Sequence, residues 1–407
     1  MKTIALFALF SSLAAASPAS KGKKVIDSGK YSRPMGAAYF LTNEPSGNYV
    51  VAAAIGSDGK LTLRQATSAQ GVGSHGGPGN GTDPLFSQGA VQASAAGNIV
   101  AAVNAGSNSI AVFTIDHNNP TDLEIIDCPV PSGGEFPISV AINKAGTTVC
   151  ALNGGTVNGV ACFAVNTKKR TVKPIANTVR NLHLNQTTPG TGPPGSASHL
   201  LFSADGKQLI ASVKGVPPTP GMLAIWDVAA DGSLSRTFRS VAPASGGMNP
   251  FGMTLIPGQN AIFAADPAIG LEIFDLAGDR SSVLAVPAQG AICWSTFSSK
   301  TGNFYTIDPG AATVSEVAVQ KKSLKPTLVK QYFQGNGTAT IDAQVATVGN
   351  NDFLYILAAG QSAIKVMALR APGNAVALQT LDIAGPARRA VFATNSVNLQ
   401  GMATFIN

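Results

Sequence analysis

Charge is what this 407-residue sequence has least of: only 12% of its residues are Asp, Glu, Lys or Arg, about half the usual density. Lys+Arg 28 against Asp+Glu 21 gives a formal net charge of +7, yet no long Lys/Arg run or basic helix occurs, which argues against a nucleic-acid partner. Long apolar runs are missing too. The one uninterrupted apolar-rich stretch is Ile4 to Ala16, too short to cross a bilayer, and no spanning segment follows. Cysteine is scarce, with 4 in all; there is no C-x-x-C and the 4 His are scattered, so neither a zinc site nor any other metal or cofactor is expected. G-x-S-x-G, H-E-x-x-H and P-loop motifs are absent. Gly71–Gly76 satisfies G-x-G-x-x-G, but Pro78, Gly79, Asn80 and Gly81 follow it where a dinucleotide fold needs a helix.

What is present is apolar: 45% of the chain, enough for a large core and too much for intrinsic disorder. Gly 44 and Pro 25 make up about a sixth of it, a composition of short strands and tight turns. Residues 1–16 read as a secretory signal, with Lys2, an apolar Ile4–Phe10 and a small-residue Ala14-Ala15-Ala16, and cleavage is expected after residue 16 or 19. An N-terminal arm, 17–35, then precedes a domain spanning 36–407. Three sequons in Gly- or Pro-rich surroundings, at Asn80, Asn185 and Asn336, are the expected glycan sites. In an oxidising compartment the four cysteines allow three full pairings. Cys150 and Cys162 lie in two strands flanking a Gly154-Gly155 loop, which would set them opposite each other; Cys128 and Cys293 then read as buried thiols.

A unit of about fifty residues recurs six times, each an apolar strand, a Gly turn and further apolar strands, the third carrying an aromatic. First strands begin near Gln88, Ile138, Ser198, Phe251, Ile292 and Asp342, and hairpin glycines follow at Gly97, Gly146, Gly206, Gly258, Gly302 and Gly349. A seventh unit, Tyr39–Thr42, Tyr49–Val51 and Leu61–Leu63, lacks its first strand, and Gly401–Ile406 at the C-terminus can supply it. The pattern predicts an all-β, seven-bladed β-propeller of four-stranded blades whose ring is closed by the C-terminal strand. An array of β-sandwiches is the alternative, but it would not need complementary termini.

In such a ring the second-strand ends place Asn43, Asn104, Asn153, Lys214, Asp266, Asp308 and Gln361 around one mouth of the channel. Six of the seven also suit strand-end turns; Lys214 has no turn-forming reason to be there. First-strand starts add Gln88, Glu135, Ser196, His199, Gln289 and Gln400. His199, which ordinarily titrates near neutral pH, is the candidate general base or acid, and Lys214 the electrostatic anchor.

Phe86–Val91, Ala102–Asn108, Leu152–Gly155, Val213-Lys214-Gly215 and above all Leu184–Gly195 (Leu-Asn-Gln-Thr-Thr-Pro-Gly-Thr-Gly-Pro-Pro-Gly) resemble secreted fungal proteins of the 3-carboxymuconate cyclase-like type in the seven-bladed lactonase superfamily. The resemblance covers nearly all of the mature chain. It implies a secreted or wall-associated glycoprotein, some relatives being surface antigens or adhesins. Active members of that superfamily use His, Arg and Glu in the channel mouth. Here Ser196-Ala197-Ser198-His199 stands where Pro-Arg-His is expected, Lys214 where a Glu is, and Gln289–Trp294 holds no Arg. A tricarboxylate substrate needs fixed cations. Three readings follow: an isomerase of the muconate cycloisomerase type or a lactonase; a non-catalytic propeller holding a sugar or phenolic; and an antigen or adhesin binding wall or host partners. Each is compatible with a secreted monomer.

Overall fold

The computed structural model describes residues 22–29, 33–79 and 81–407, which form seven sheets arranged as the blades of a ring. The signal segment and Asn80 lie outside the described residues. Every blade is antiparallel, and its inner strand lines the axis: Gln400–Ile406, Val91–Ser94, Pro137–Ile142, Ala197–Phe202, Met253–Leu255, Trp294–Phe297 and Thr340–Val348 for blades 1 to 7. Blades 2 and 3 each carry a short fifth strand, and in blade 1 Lys23–Val25 of the N-terminal arm adds one outside Leu61–Ser68. Among the described residues, helix is confined to Ala384–Arg389 and two single 3-10 turns.

The second and third strands are largely buried on both faces because each blade is sandwiched between two others, which is why they read as continuous Val, Ile, Leu and Ala runs rather than alternating ones. Ile99–Asn104 and Ala261–Asp266 are buried at every position. The third-strand aromatics Phe113, Phe163, Trp226 and Phe274 are all 2% exposed or less, each contributing some 1.5–3 kcal/mol of burial. Ring closure is a strand exchange between the termini. Gly36–Leu41 pairs on one side with Tyr49–Ile55 and on the other with Gln400–Ile406, so the last strand of the chain becomes the innermost of blade 1 and leaves it no open inner edge.

Hairpin chemistry follows the pattern with one exception. Gly146, Gly206, Gly258, Gly302 and Gly349 have left-handed φ, but in blade 2 that role falls to Asn98 (φ 51°) and not to Gly97. Gly97 is there for proximity: a Cβ on it would lie 2.6 Å from the carbonyl oxygen of Gly146 in the next blade's hairpin. Cys150 and Cys162 are register partners on adjacent strands and form a disulfide. Cys293 is a buried thiol, whereas Cys128 is exposed, because it sits in the outer connection of blade 2 rather than in a strand.

Candidate functional site

The upper face is the one that carries the loops between second and third strands. Four of the polar residues expected to ring its mouth are tied to the backbone of the incoming connection of their own blade. Asn104 Nδ2 donates to the Ala69 carbonyl (3.0 Å) and Asn153 Nδ2 to that of Ser132 (3.1 Å). Asp266 Oδ2 accepts from the backbone N–H of Met248 (2.8 Å) and Asn249 (3.1 Å), and Asp308 from those of Gly290 (2.8 Å) and Ala291 (2.9 Å). Asn43 binds both backbone groups of Ser74. These are turn clamps that satisfy buried peptide groups. Gln361 is not a member of the set: the second strand of blade 7 ends at Ala358, and Gln361 lies exposed in the turn beyond it. Gln289 clamps Pro267 and Ile292, and Glu135 takes the Thr188 hydroxyl outside the channel.

The mouth itself is closed by the chain. Residues 71–79 cross the upper face, with Gly73 N–H on the Glu44 carbonyl (2.8 Å) and Gly77 bridged to the Leu184–Gly195 loop through Gly190 (2.9 Å). The following segment, Asp83–Gly89, then descends into the axis as a plug. Ser87 donates its hydroxyl to Ile138 O (2.7 Å) and its carbonyl accepts from Trp294 Nε1 (2.9 Å) and Gln400 Nε2 (3.0 Å). Thus one residue is tied to blades 3, 6 and 1. Asp83 and Phe86 both have left-handed φ, 67° and 52°, a strain of order 1–3 kcal/mol each that only such dense anchoring sustains.

Lys214, 2% exposed, is the lock on this plug. Its ammonium donates to Phe86 O (2.8 Å), Ala197 O (3.2 Å) and Ser198 Oγ, and stands 4.3 Å from the Phe251 ring centroid. Ser198 is available because the inner strand of blade 4 bulges between Ala197 and His199, freeing it from the ladder. Burial pulls Lys214 down to about 7, opposed by Asp83, while burial lifts Asp83 to about 7. Three acceptors for three N–H bonds hold Lys214 in its charged form, with Asp83 as counter-ion. Asp342 beside them is held well above the carboxylate range by burial and by Asp83; its Oδ2 accepts from Gln400 Nε2 and Gly401 N–H, both 2.7 Å. Every donor on Lys214 is spent within the protein, so none is left to polarise a substrate carbonyl.

Below the plug the axis opens again, on the lower face, as a well of about 570 Å³. The structure places Gln88 and His199 here, not beside Lys214 at the upper mouth, because the plug separates the two levels. Gln88 is consumed structurally by Ser295. His199 is 4% exposed, and its Nδ1 accepts from the Met253 N–H (3.0 Å). That bond fixes the tautomer with the proton on Nε2, and burial lowers the imidazole to about 3. The side chain is therefore a neutral hydrogen-bond donor at physiological pH and does not fit the general-base role expected of it. Gln92, Thr254, Ser295, Thr296 and Gln344 supply further amides and hydroxyls around the well, and Val140, Leu201, Met253 and Phe297 its apolar wall.

The plug was not legible in the sequence. Asp83, Phe86 and Ser87 lie in a connection without periodicity, and nothing local distinguishes it from the other six. Asp342 carried a weak signal, a lone acid near the start of its strand.

Residues 31–183, less than half of the chain, match the family model described as Lactonase, 7-bladed beta-propeller. No curated protein matches. Among solved structures, the periplasmic gluconolactonase of Pseudomonas aeruginosa is 16% identical with a TM-score of 0.60, covering 85% of this chain and 96% of that one. A functionally unknown protein of Desulfotomaculum acetoxidans is 14% identical, with a TM-score of 0.61 over 90% and 98%. A Bacteroides fragilis protein provisionally assigned as a 6-phosphogluconolactonase is 14% identical, with a TM-score of 0.65 over 93% and 100%. At these identities the likeness is one of fold, and the fold is the seven-bladed propeller.

Proposed function

We propose that this protein is a lactonase-like propeller that binds a small uncharged molecule in its axial well and performs no lactone chemistry in its upper mouth. The observation that carries the reading is Lys214: the cation expected to serve the mouth is locked onto Phe86, Ala197 and Ser198 of its own chain. A mouth filled by protein, without a free cation or base, lacks the electrostatic stabilisation that acyl transfer or lactonisation requires. The open well, lined mostly by apolar side chains, amides and hydroxyls, is the alternative place for a ligand.

The test is a panel of neutral sugars, phenolics and lactones, with 3-carboxymuconate, followed by thermal shift and by product formation. A thermal upshift without turnover is expected. Turnover that collapses in Lys214→Met and Asp83→Asn would establish instead an enzyme at the upper mouth, the second reading, which the family-model match favours. We also propose export and glycosylation. Asn185 and Asn336 are exposed, as acceptor asparagines must be, and peptide mass spectrometry of material from a eukaryotic secretory host would find sugar on them and on Asn80, with Ser17 or a residue close by as the new N-terminus.

A further inference from the structure

Among the described residues, no protein group lies within hydrogen-bond distance of His199 Nε2, although the side chain is 4% exposed. The atom is nevertheless not sealed in the protein: His199 lines the well, where its Nε2–H can donate to a bound molecule. The side-chain amide of Gln92 is likewise without a protein partner. These two groups converge. Gly89, at φ 85°, lies between them, and a Cβ there would stand 3.0 Å from His199 Cδ2 and 3.1 Å from Gln92 Nε2. Ser139 Oγ would be nearer still, at 2.8 Å, so only glycine allows the chain to pass this close to both groups.

We infer that the well takes an uncharged amphipathic carbonyl compound, whose oxygen accepts from both His199 Nε2–H and the Gln92 amide. This rests on the binding reading above and adds the ligand's chemical class and the residue that selects it. A carbonyl oxygen has two lone pairs for two donors, and no proton that would need an acceptor. A carboxylate is disfavoured: no cation lies at the floor, the only charged lining residue being Lys144, exposed in the hairpin at the rim, and an unpaired buried charge is costly. Val140, Leu201, Met253 and Phe297 suit an apolar body. The volume of about 570 Å³ is that of a drug-sized site.

The experiment uses the full chain with acetophenone as probe, against 1-phenylethanol, benzoate and D-glucose, read by ligand-observed saturation transfer and by the imidazole nitrogens of ¹⁵N-histidine-labelled protein. The ketone should move the His199 Nε2–H resonance and bind at least fivefold more tightly than the alcohol, with benzoate silent. His199→Phe and Gln92→Leu should each weaken it tenfold or more. The labelled wild type keeps the inference falsifiable if His199→Phe does not fold. Glucose or the alcohol binding as well as the ketone, or a ketone that leaves Nε2–H unmoved, overturns the carbonyl class while leaving a ligand-binding well. Lactone turnover at the upper mouth would instead sink the reading on which it rests.

Discussion

Gln88 and Ser295 face each other across the propeller axis like partners in a strand pair, although 207 residues separate them. The amide of Gln88 accepts from the Ser295 N–H and donates to the Ser295 carbonyl, both at 3.0 Å. A side chain from the connection into blade 2 thus completes the inner edge of blade 6, and the channel is stitched shut at its waist.

Truncating Gln88 should therefore act at a distance. Gln88→Ala leaves a buried N–H and a buried C=O of Ser295 without partners, at a cost of about 2–4 kcal/mol. Urea denaturation should show a midpoint lowered accordingly, with little change in slope; a loss under about 0.5 kcal/mol would mean that water replaces the amide.

Lys214→Met keeps the length of the side chain and removes its charge. Three acceptors and Asp83 lose their partner, a defect expected to cost about 3–5 kcal/mol. Adding Asp83→Asn should recover part of that loss, because the stranded carboxylate is then gone. Strictly additive losses in the double-mutant cycle would show that the two groups are not coupled.

Glu272 presses its carboxyl against that of Asp266, and both face the Met248 N–H, at 2.9 and 2.8 Å. Burial, then Asp266, raises it to about 10 from 4.5. A carboxyl with a raised folded value holds its proton better in the folded state, so this group erodes stability as pH climbs from about 4.5 towards 10. Glu272→Gln mimics the protonated form without that dependence. It should be more stable than the parent at pH 7 to 8, by on the order of 2 kcal/mol, and equal to it near pH 4. Melting curves across that range decide it.

His199 works in the opposite direction. Its folded value is lowered to about 3 from 6.5, so its contribution is complete above pH 6.5 and is lost as pH falls towards 3, by up to about 1.4 kcal/mol per unit. His199→Gln should show a shallower acid limb between pH 6 and 4. An unchanged limb would put the acid sensitivity elsewhere.

The Cys150–Cys162 bond closes a short loop, its ends 12 residues apart in sequence. Replacing both with Ala should cost about 2–3 kcal/mol, mostly through the unfolded chain, and reductant should lower the melting temperature of the parent but not of the variant.

The sequence by itself determined the architecture. Seven copies of one strand pattern, the last split between Tyr39–Leu63 and Gly401–Ile406, leave a closed ring as the one arrangement that pairs every inner edge, and strand order follows from local apolar runs and hairpin glycines. It also marked Lys214 as out of place among turn-forming residues. Tertiary structure alone decided what the axis does. Asn104, Asn153, Asp266 and Asp308 have the composition of a binding ring, yet they clamp backbone, because buried peptide groups in the incoming connections must be satisfied first. Asp83–Gly89 has no periodicity to betray it, and its place in the channel depends on Ile138, Trp294, Ser295 and Gln400, contributed by three other blades. His199 is a base by residue type and a donor by circumstance: the Met253 N–H, 54 residues away, chooses the tautomer, and no reading along the chain contains that bond.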